Sequence, residues 1–284
     1  MVAPDKLIYE SMITFFTTLR PFGISEVFDR IQANAVCSWQ ALPCPVQVII
    51  LGREAGVDAF AAMIGADHLP DIEYSDLGRP LVRSALQIAE HCARYPLRCL
   101  INGDNILTGG WAPLFYYLHN EISHFMVLSR RRNIPWDKPI DFNDCDWDSR
   151  LRWFNLRHGQ WHTTLGKELF IYDGSLMPMD AEFMLATPAC DDFIVHHARG
   201  QGRRLLDATA IAAPLHQDHE YLREGRMVDR AIAFHDAAAD FNRALWRHYV
   251  PEGGGLAIDT IHETIKRGWL DFRIQPRRGH SSGH

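Results

Sequence analysis

No apolar run in this 284-residue chain approaches the roughly 20 residues that a membrane-spanning helix needs. The first residues, Met1 to Lys6, are polar and hold no secretory apolar core. Six cysteines (Cys37, Cys44, Cys92, Cys99, Cys145 and Cys190) form no CxxC pair. That spacing argues against a cysteine-built zinc site and is read as reduced thiols in a cytoplasmic protein. A basic excess is also missing. The formal net charge is -6, which weighs against a general nucleic-acid binder. There is no early glycine-rich phosphate loop with a lysine, and Gly52-Arg53-Glu54-Ala55-Gly56 is a poor substitute. We find no internal repeat and no shift of composition that marks a domain boundary. What is present is an ordinary globular composition, 47% hydrophobic and 23% charged. The length suffices for one large α/β domain with a substantial core, or for two small ones.

The apolar segments alternate in kind. Met12 to Thr18 and Val46 to Gly52 are β-rich and read as buried strands. Between them Ser25 is placed to cap a helix in which Phe28, Ile31, Ala35 and Trp39 recur at helical spacing, with Gln32, Asn34 and Ser38 among them. Glu54 to Ile64 reads as a second helix, residues 68–74 as irregular or a short edge strand, and Leu81 to Arg94 as a third helix. Strand, helix, strand, helix implies a parallel sheet with right-handed crossovers. Further strands are expected at Leu97 to Ile101, Phe125 to Ser129, Leu169 to Tyr172 and Arg204 to Thr209. Helices are expected at Pro113 to His119, Trp147 to Arg157 and Met227 to Trp246. His158 to His162 reads as a turn, Gly253-Gly254-Gly255 as a hinge, and Arg277 to His284 as a disordered tail.

The chemistry gathers where the apolar run 97–101 stops at Asn102-Gly103-Asp104. A carboxylate at the end of a buried parallel strand lies where open α/β sheets bind ligands. Gly103 permits a sharp turn and a close approach. Asn102 and Asp104 can point the same way and offer hard oxygen ligands to Mg2+ or Mn2+, with a diphosphate supplying the rest. A plain polar turn uses the same residues. Arg130-Arg131-Arg132 at a strand end suits a phosphate or carboxylate, or is simply solvated. Asp191 and Asp192 open a helical segment, where they fit an N-terminal cap or a catalytic carboxylate equally well. His216 and His219, with acids between and after them, suit a metal or a polar loop.

Taken in order, these pieces resemble bacterial glycosyltransferase-like proteins of the GT-A fold, over roughly residues 11 to 245. The matching segments are Ile13 to Thr17, Gln32 to Trp39, Val48 to Gly56, Ile101 to Asp104, Arg130-Arg131, Trp136-Asp137, Asp191-Asp192 and His216 to Tyr221. The resemblance implies a single GT-A-like α/β domain over 1–250, with a mostly parallel central sheet flanked by helices and a C-terminal helical extension. It divides into a donor-binding half (about 11–132), an acceptor half (about 133–225), a C-terminal helix (about 227–246) and an extension (251–284). By resemblance Asp104 is the metal-contacting acid of a DxD-type motif, with Asn102 standing in the first acid position. His216 or His219 matches a late metal-contacting histidine. Thr17, Asn102, Gly103, Asp104, Arg130 and Arg131 line the sugar-nucleotide site. Asp191 is the first candidate for the base that deprotonates an acceptor hydroxyl, and Asp192 the second. Cys190 stands where a tryptophan is common and Asp192 where an asparagine is common.

The implied activity is divalent-metal-dependent transfer of a sugar from a nucleoside-diphosphate sugar, in glycan or polysaccharide biosynthesis, inverting or retaining. The acceptor is a glycan, a lipid-linked molecule or a small molecule, and a lipid-linked acceptor would be met at the membrane surface. A second copy of the chain is admitted as a partner. The competing expectations are a non-catalytic relative that binds a sugar nucleotide or glycan as an assembly partner, and a nucleotidyltransferase or metal-dependent hydrolase on a similar sheet.

Overall fold

Strands written as unbroken apolar runs must be covered on both faces. The computed structural model describes residues 12–177, 179–219, 221–223, 226–228, 236–251, 255–268 and 271–277. In chain order the elements are β1 (Ile13–Thr18), α1 (Glu26–Gln40), β2 (Val46–Leu51), α2 (Val57–Ile64), β3 (Asp67–Leu69), α3 (Val82–Cys92), β4 (Leu97–Ile101) and β5 (Asn105–Ile106). There follow α4 (Ala112–Glu121), β6 (Phe125–Arg130), β7 (Arg132–Ile134), α5 (Trp147–His158), β8 (Gln160–Trp161), β9 (Lys167–Asp173) and α6 (Cys190–Gly200). The last are β10 (Arg204–Asp207), β11 (Leu215–Gln217), β12 (Tyr221–Arg223), β13 (Arg226–Val228), α7 (Ala237–Tyr249), β14 (Glu263–Arg267) and β15 (Phe272–Pro276).

Nine strands form the main sheet in the order β15-β14-β10-β6-β9-β4-β1-β2-β3. Five of its eight pairings are parallel, so the expected mostly parallel sheet is present. The exceptions are β14 with β15 and the two edges of β9, which runs against both β4 and β6. A smaller sheet, β5-β11-β7-β8, stands beside the main one. Successive strand residues face opposite layers. Phe15, Val48, Ile50, Cys99, Val127 and Ile171 pack with α1 and α4 on one side. Phe16, Ile49, Leu51, Leu100, Met126 and Phe170 pack with α3 and α6 on the other.

Four expectations need correction. The second helix begins at Val57 rather than Glu54, because Gly56 at φ 76° turns the chain into it. Gln160 and Trp161, expected in a turn, pair antiparallel with Asn133 and Arg132. The long helix expected from Met227 begins at Ala237, where the Asp236 side chain accepts from the Ala239 N–H at 2.7 Å. Met227 itself lies in a hairpin strand opposite Leu222. Residues 263–267 and 272–276 contribute two strands to the main sheet. Gly253 and Gly254 of the expected hinge and residues 278–284 of the tail expected from Arg277 lie outside the described residues, while Arg277 itself is fixed by an ion pair with Asp207 and by its N–H donating to the His262 carbonyl at 2.7 Å.

Trp39 is the side chain that fastens α1 to the smaller sheet. It is fully buried, packs on Phe15 at 5.5 Å, and donates its indole N–H to the Asn105 carbonyl at 2.8 Å. Trp39→Ala leaves a large cavity and an orphaned carbonyl, so urea unfolding is expected to show a loss of about 3–5 kcal/mol.

Candidate functional site at the sheet edge

The antiparallel course of β9 brings its first residues to the edge where the parallel strands end. Ile101 pairs with Leu169, and Arg130 with Lys167. Lys167 and Glu168 therefore sit beside the turn Asn102-Gly103-Asp104. The Asn102 main-chain N–H donates to the Glu168 carbonyl at 3.1 Å, and its side-chain amide donates to the Glu168 carboxylate. The other carboxylate oxygen accepts from the Arg131 guanidinium. The ion pair is nearly buried, Glu168 at 8% exposure and Arg131 at 7%, and Asn102 is half-buried beside it. An aspartate at 102 would set a second negative charge against Glu168, whereas the amide supplies a donor. The departure from two acids thus has a local electrostatic cause. At Gly103 an added Cβ would meet the Leu19 side chain and come 3.4 Å from the Thr18 carbonyl, so the turn lies flat on the end of β1. Thr17 is buried there, its hydroxyl 3.2 Å from the Thr18 carbonyl.

Past the turn, β11 pairs with β5 so that His216 lies opposite Asn105, one residue beyond Asp104. His216 Nε2 is 3.3 Å from Asp104 Oδ2, and His219 Nε2 is 3.5 Å from the same oxygen. Both imidazoles are nearly buried, and His219 also packs edge-on against Phe28 at 5.0 Å. The polar residues of α1 fix this arrangement. Asn34 donates to Gln217 Oε1 at 2.8 Å and to the Lys138 carbonyl at 2.9 Å, and Gln217 donates to the Ile31 carbonyl at 2.9 Å. Burial works to raise the Asp104 pKa. The neighbouring imidazoles override it and hold the carboxyl well below its ordinary value.

The three side chains offer ligand atoms within 4.8 Å of one another. Nitrogen–oxygen spacings of 3.3 and 3.5 Å are long for charge-assisted hydrogen bonds. They match the separation between neighbouring ligands of an ion bound at about 2.1 Å. Nδ1 of His216, on the far side of the ring, is buried and has no hydrogen-bond partner among the described residues. Two imidazoles and one carboxylate fit a divalent ion, and suit Mn2+ better than the oxygen-seeking Mg2+.

Asp191 and Asp192 enter from α6. Ala189, just before them, adopts φ 71°, a left-handed conformation unusual for a residue with a Cβ. The two acids part company in this turn. Asp192 accepts from Lys167 Nζ at 2.9 Å and from the Leu256 N–H at 2.8 Å, so it fastens β9 to the segment that follows α7. Among the described residues Asp191 accepts only the weak Cys190 thiol, at 3.2 Å. Burial first, and then the negative charge of Glu168, push the Asp191 pKa up to about 7, against the opposing pull of Lys167.

No protein-family model matches the sequence, and no curated protein sequence does. Among solved structures the chain is similar to S. aureus TarS 1–349 in complex with UDP-GlcNAc. The TM-score is 0.50 with 10% identity, over 84% of this chain and 71% of that one. It is also similar to the mannosyltransferase PcManGT from Pyrobaculum calidifontis in complex with GDP-Man and Mn2+, at a TM-score of 0.47 and 14% identity over 90% and 68% of the two chains. The chain has a GT-A-like fold. Apart from Asp191 and Asp192 on α6, the sequence-derived residues divide into three groups within this fold. Asp104, His216 and His219 come together. Asn102, Gly103, Thr17 and Arg131 form the supporting end of the sheet. Arg130 turns aside, its Nε donating to the His162 carbonyl and its guanidinium lying over Trp161.

Sequence reading missed Glu168 and Lys167. Their one signal was a pair of charges directly ahead of an apolar strand. For Asn34 the signal was a polar residue among the apolar ones of a helix, but its partners lie 104 and 183 residues away.

The raised Asp191 pKa has a stability consequence. The folded state holds the proton up to about 7, whereas an ordinary aspartate in the unfolded chain releases it near 3.8. The unfolded chain is therefore favoured progressively as pH rises through that window. Wild-type stability relative to Asp191→Asn should fall from pH 4 to 7 by an amount on the order of a few kcal/mol, then level off. Paired denaturant titrations across that range check it.

Proposed function

We propose that the protein transfers a sugar from a nucleoside-diphosphate sugar to an acceptor hydroxyl, with a divalent metal held by Asp104, His216 and His219. The observation that carries this reading is the convergence of both imidazoles on one carboxylate oxygen at the end of β4. The fold likeness to TarS, whose complex holds UDP-GlcNAc, supports a sugar nucleotide as the donor class. On this reading residues from about 11 to 132 form the donor-binding half and those from about 133 to 225 the acceptor half. The acceptor is a glycan, a lipid-linked molecule or a small molecule, and the product belongs to glycan or polysaccharide synthesis.

The chain's own groups then take defined tasks. When bound, the ion supplies positive charge that offsets the negative charge growing on the departing diphosphate. Asp104 stays ionised to hold it, which its lowered pKa favours. Asn102, Glu168 and Arg131 keep the Asp104 turn in register with the strands. Asp191, with a pKa of about 7, is poised to take the proton of an attacking hydroxyl in an inverting reaction. Asp192 and Lys167 hold the turn that presents it.

The Arg131–Glu168 ion pair favours a second reading, a non-catalytic relative that binds a sugar nucleotide or glycan, because it occupies the arginine expected to face a diphosphate. One set of experiments separates the two. Melting temperatures are measured with nucleoside diphosphates and sugar nucleotides, each with Mn2+, Mg2+ or chelator. The transfer reading expects an Mn2+-dependent rise with one nucleotide, lost in Asp104→Ala. Identical melting with and without metal contradicts it. Once an acceptor is found, kcat/KM should rise with pH through about 7 and collapse at least about a hundredfold in Asp191→Asn. Donor binding with no transfer to any acceptor returns the protein to the second reading.

A further inference from the structure

Four of the large apolar side chains that face solvent fall in one short stretch. Trp153 is 63% exposed, Leu156 67%, Trp161 45% and Leu165 52%. Trp153 and Leu156 are three apart on α5 and share its outward face, while Trp147 and Leu151 cover the smaller sheet from the inner face. The following turn and β8 carry Trp161 to Arg132, since the two residues are strand partners. Arg132 in turn donates to the Asn155 carbonyl at 3.2 Å near the end of α5. The outward face of α5 and the β8 turn therefore adjoin.

The charge of this stretch is one-sided. From Ser149 to Lys167 there is no aspartate or glutamate, in a chain that holds 35 of them and a net charge of -6. The acids of the region precede the helix or lie in its first turn, and two of them pair there, Asp144 with Arg150 and Asp148 with Arg152. Beyond that point Arg130, Arg132 and Arg157 have no carboxylate partner among the described residues. Arg130 and Arg132 flank the Trp161 ring at 5.3 and 5.0 Å, and their side chains donate to the carbonyls of His162, Asn155 and Gly159. Paired guanidinium and indole groups, with leucines beside them, are the chemistry of a bilayer interface. Indoles lodge at the headgroup level, leucines reach the acyl boundary, and arginines meet lipid phosphates.

The face also has a defined relation to the site. Leu165 lies against Gly255, and its carbonyl accepts from Lys167 Nζ at 3.2 Å, the same nitrogen that pairs with Asp192. No described helix is long and apolar enough to cross a membrane, so any membrane contact through the described helices is at the surface. From the exposed indoles, the leucines and the arginines that have no carboxylate partner among the described residues we infer that the surface formed by the C-terminal half of α5 and the β8 turn, residues 153–165, docks onto an anionic phospholipid bilayer. The inference stands on surface chemistry and does not depend on the transfer reading.

Co-sedimentation of the full chain with vesicles tests it, using phosphatidylcholine alone and phosphatidylcholine mixed with phosphatidylglycerol. Binding is expected to the anionic vesicles only, and to weaken with added salt. The double variant Trp153→Ala/Leu156→Ala should partition at least about tenfold more weakly at an unchanged melting temperature. Arg157→Glu should weaken binding several-fold through charge alone, and so tests the docking should the double variant fail to fold. Met63→Ala, which removes an equally exposed apolar side chain elsewhere at 74% exposure, should bind like the wild type. Lack of binding to anionic vesicles overturns the inference, as does equal binding by wild type, double variant and Arg157→Glu. So does a concentration-dependent dimer that the double variant abolishes without any vesicle binding, since that assigns the face to a second copy of the chain.

Discussion

A buried carboxylate at the start of β9 holds the working edge of the sheet together. Glu168 accepts from Asn102 through both its carbonyl and its side chain, and from Arg131 through its second oxygen. These contacts join the ends of β4, β6 and β9, which otherwise diverge into separate loops. They also determine what the turn after β4 can contain. With Glu168 in place, an amide at 102 is a partner and an acid there is a repelled neighbour, so the negative charge of the turn falls to Asp104. The same carboxylate, second to burial, raises the pKa of Asp191. Removing one member of such a buried ion pair leaves the other charge stranded, which commonly costs about 3–5 kcal/mol.

The second constraint is the polar row on α1. Gln32, Asn34 and Ser38 are all buried, and each bonds outside its own helix, Ser38 also donating to the Ala35 carbonyl of the preceding turn. Ser38 accepts from the Leu107 N–H and Asn34 bonds Gln217, while Trp39 caps the Asn105 carbonyl. A single helix therefore holds both β5 and β11, the two short strands that bring Asp104 and His216 side by side. The histidines owe their position to a helix almost 200 residues earlier in the chain.

Much of this was legible before the structure, for a physical reason. The first, second and fourth strands of the main sheet are covered on both faces, so they are written as unbroken apolar runs, and their limits fall within a residue or two of those expected. Asp104, His216 and His219 stood out because a carboxylate just after a buried apolar strand, and two histidines three apart among acids, are residue types that can ligate a metal. The direction of β9 left no trace, because an antiparallel strand between two parallel neighbours has the same apolar composition as they do. Without that direction Glu168 could not be placed beside Asn102. The start of α7 was misjudged because Met227 and the apolar residues after it keep helical spacing, whereas the decisive cap at Asp236 is one acid among many. Asp191 and Asp192 looked interchangeable in sequence. Lys167 distinguishes them by pairing with one and leaving the other to the thiol of Cys190.

The central claim is that Asp104, His216 and His219 form one divalent-metal centre. The most direct measurement is pulsed electron paramagnetic resonance of the full chain loaded with Mn2+, read for nitrogen couplings from coordinated imidazole. The account predicts two coupled histidine nitrogens, one of them lost in His216→Ala and the other in His219→Ala, with Mn2+ binding abolished in Asp104→Ala. A spectrum of fully hydrated Mn2+, or nitrogen couplings that survive both histidine substitutions, would contradict it.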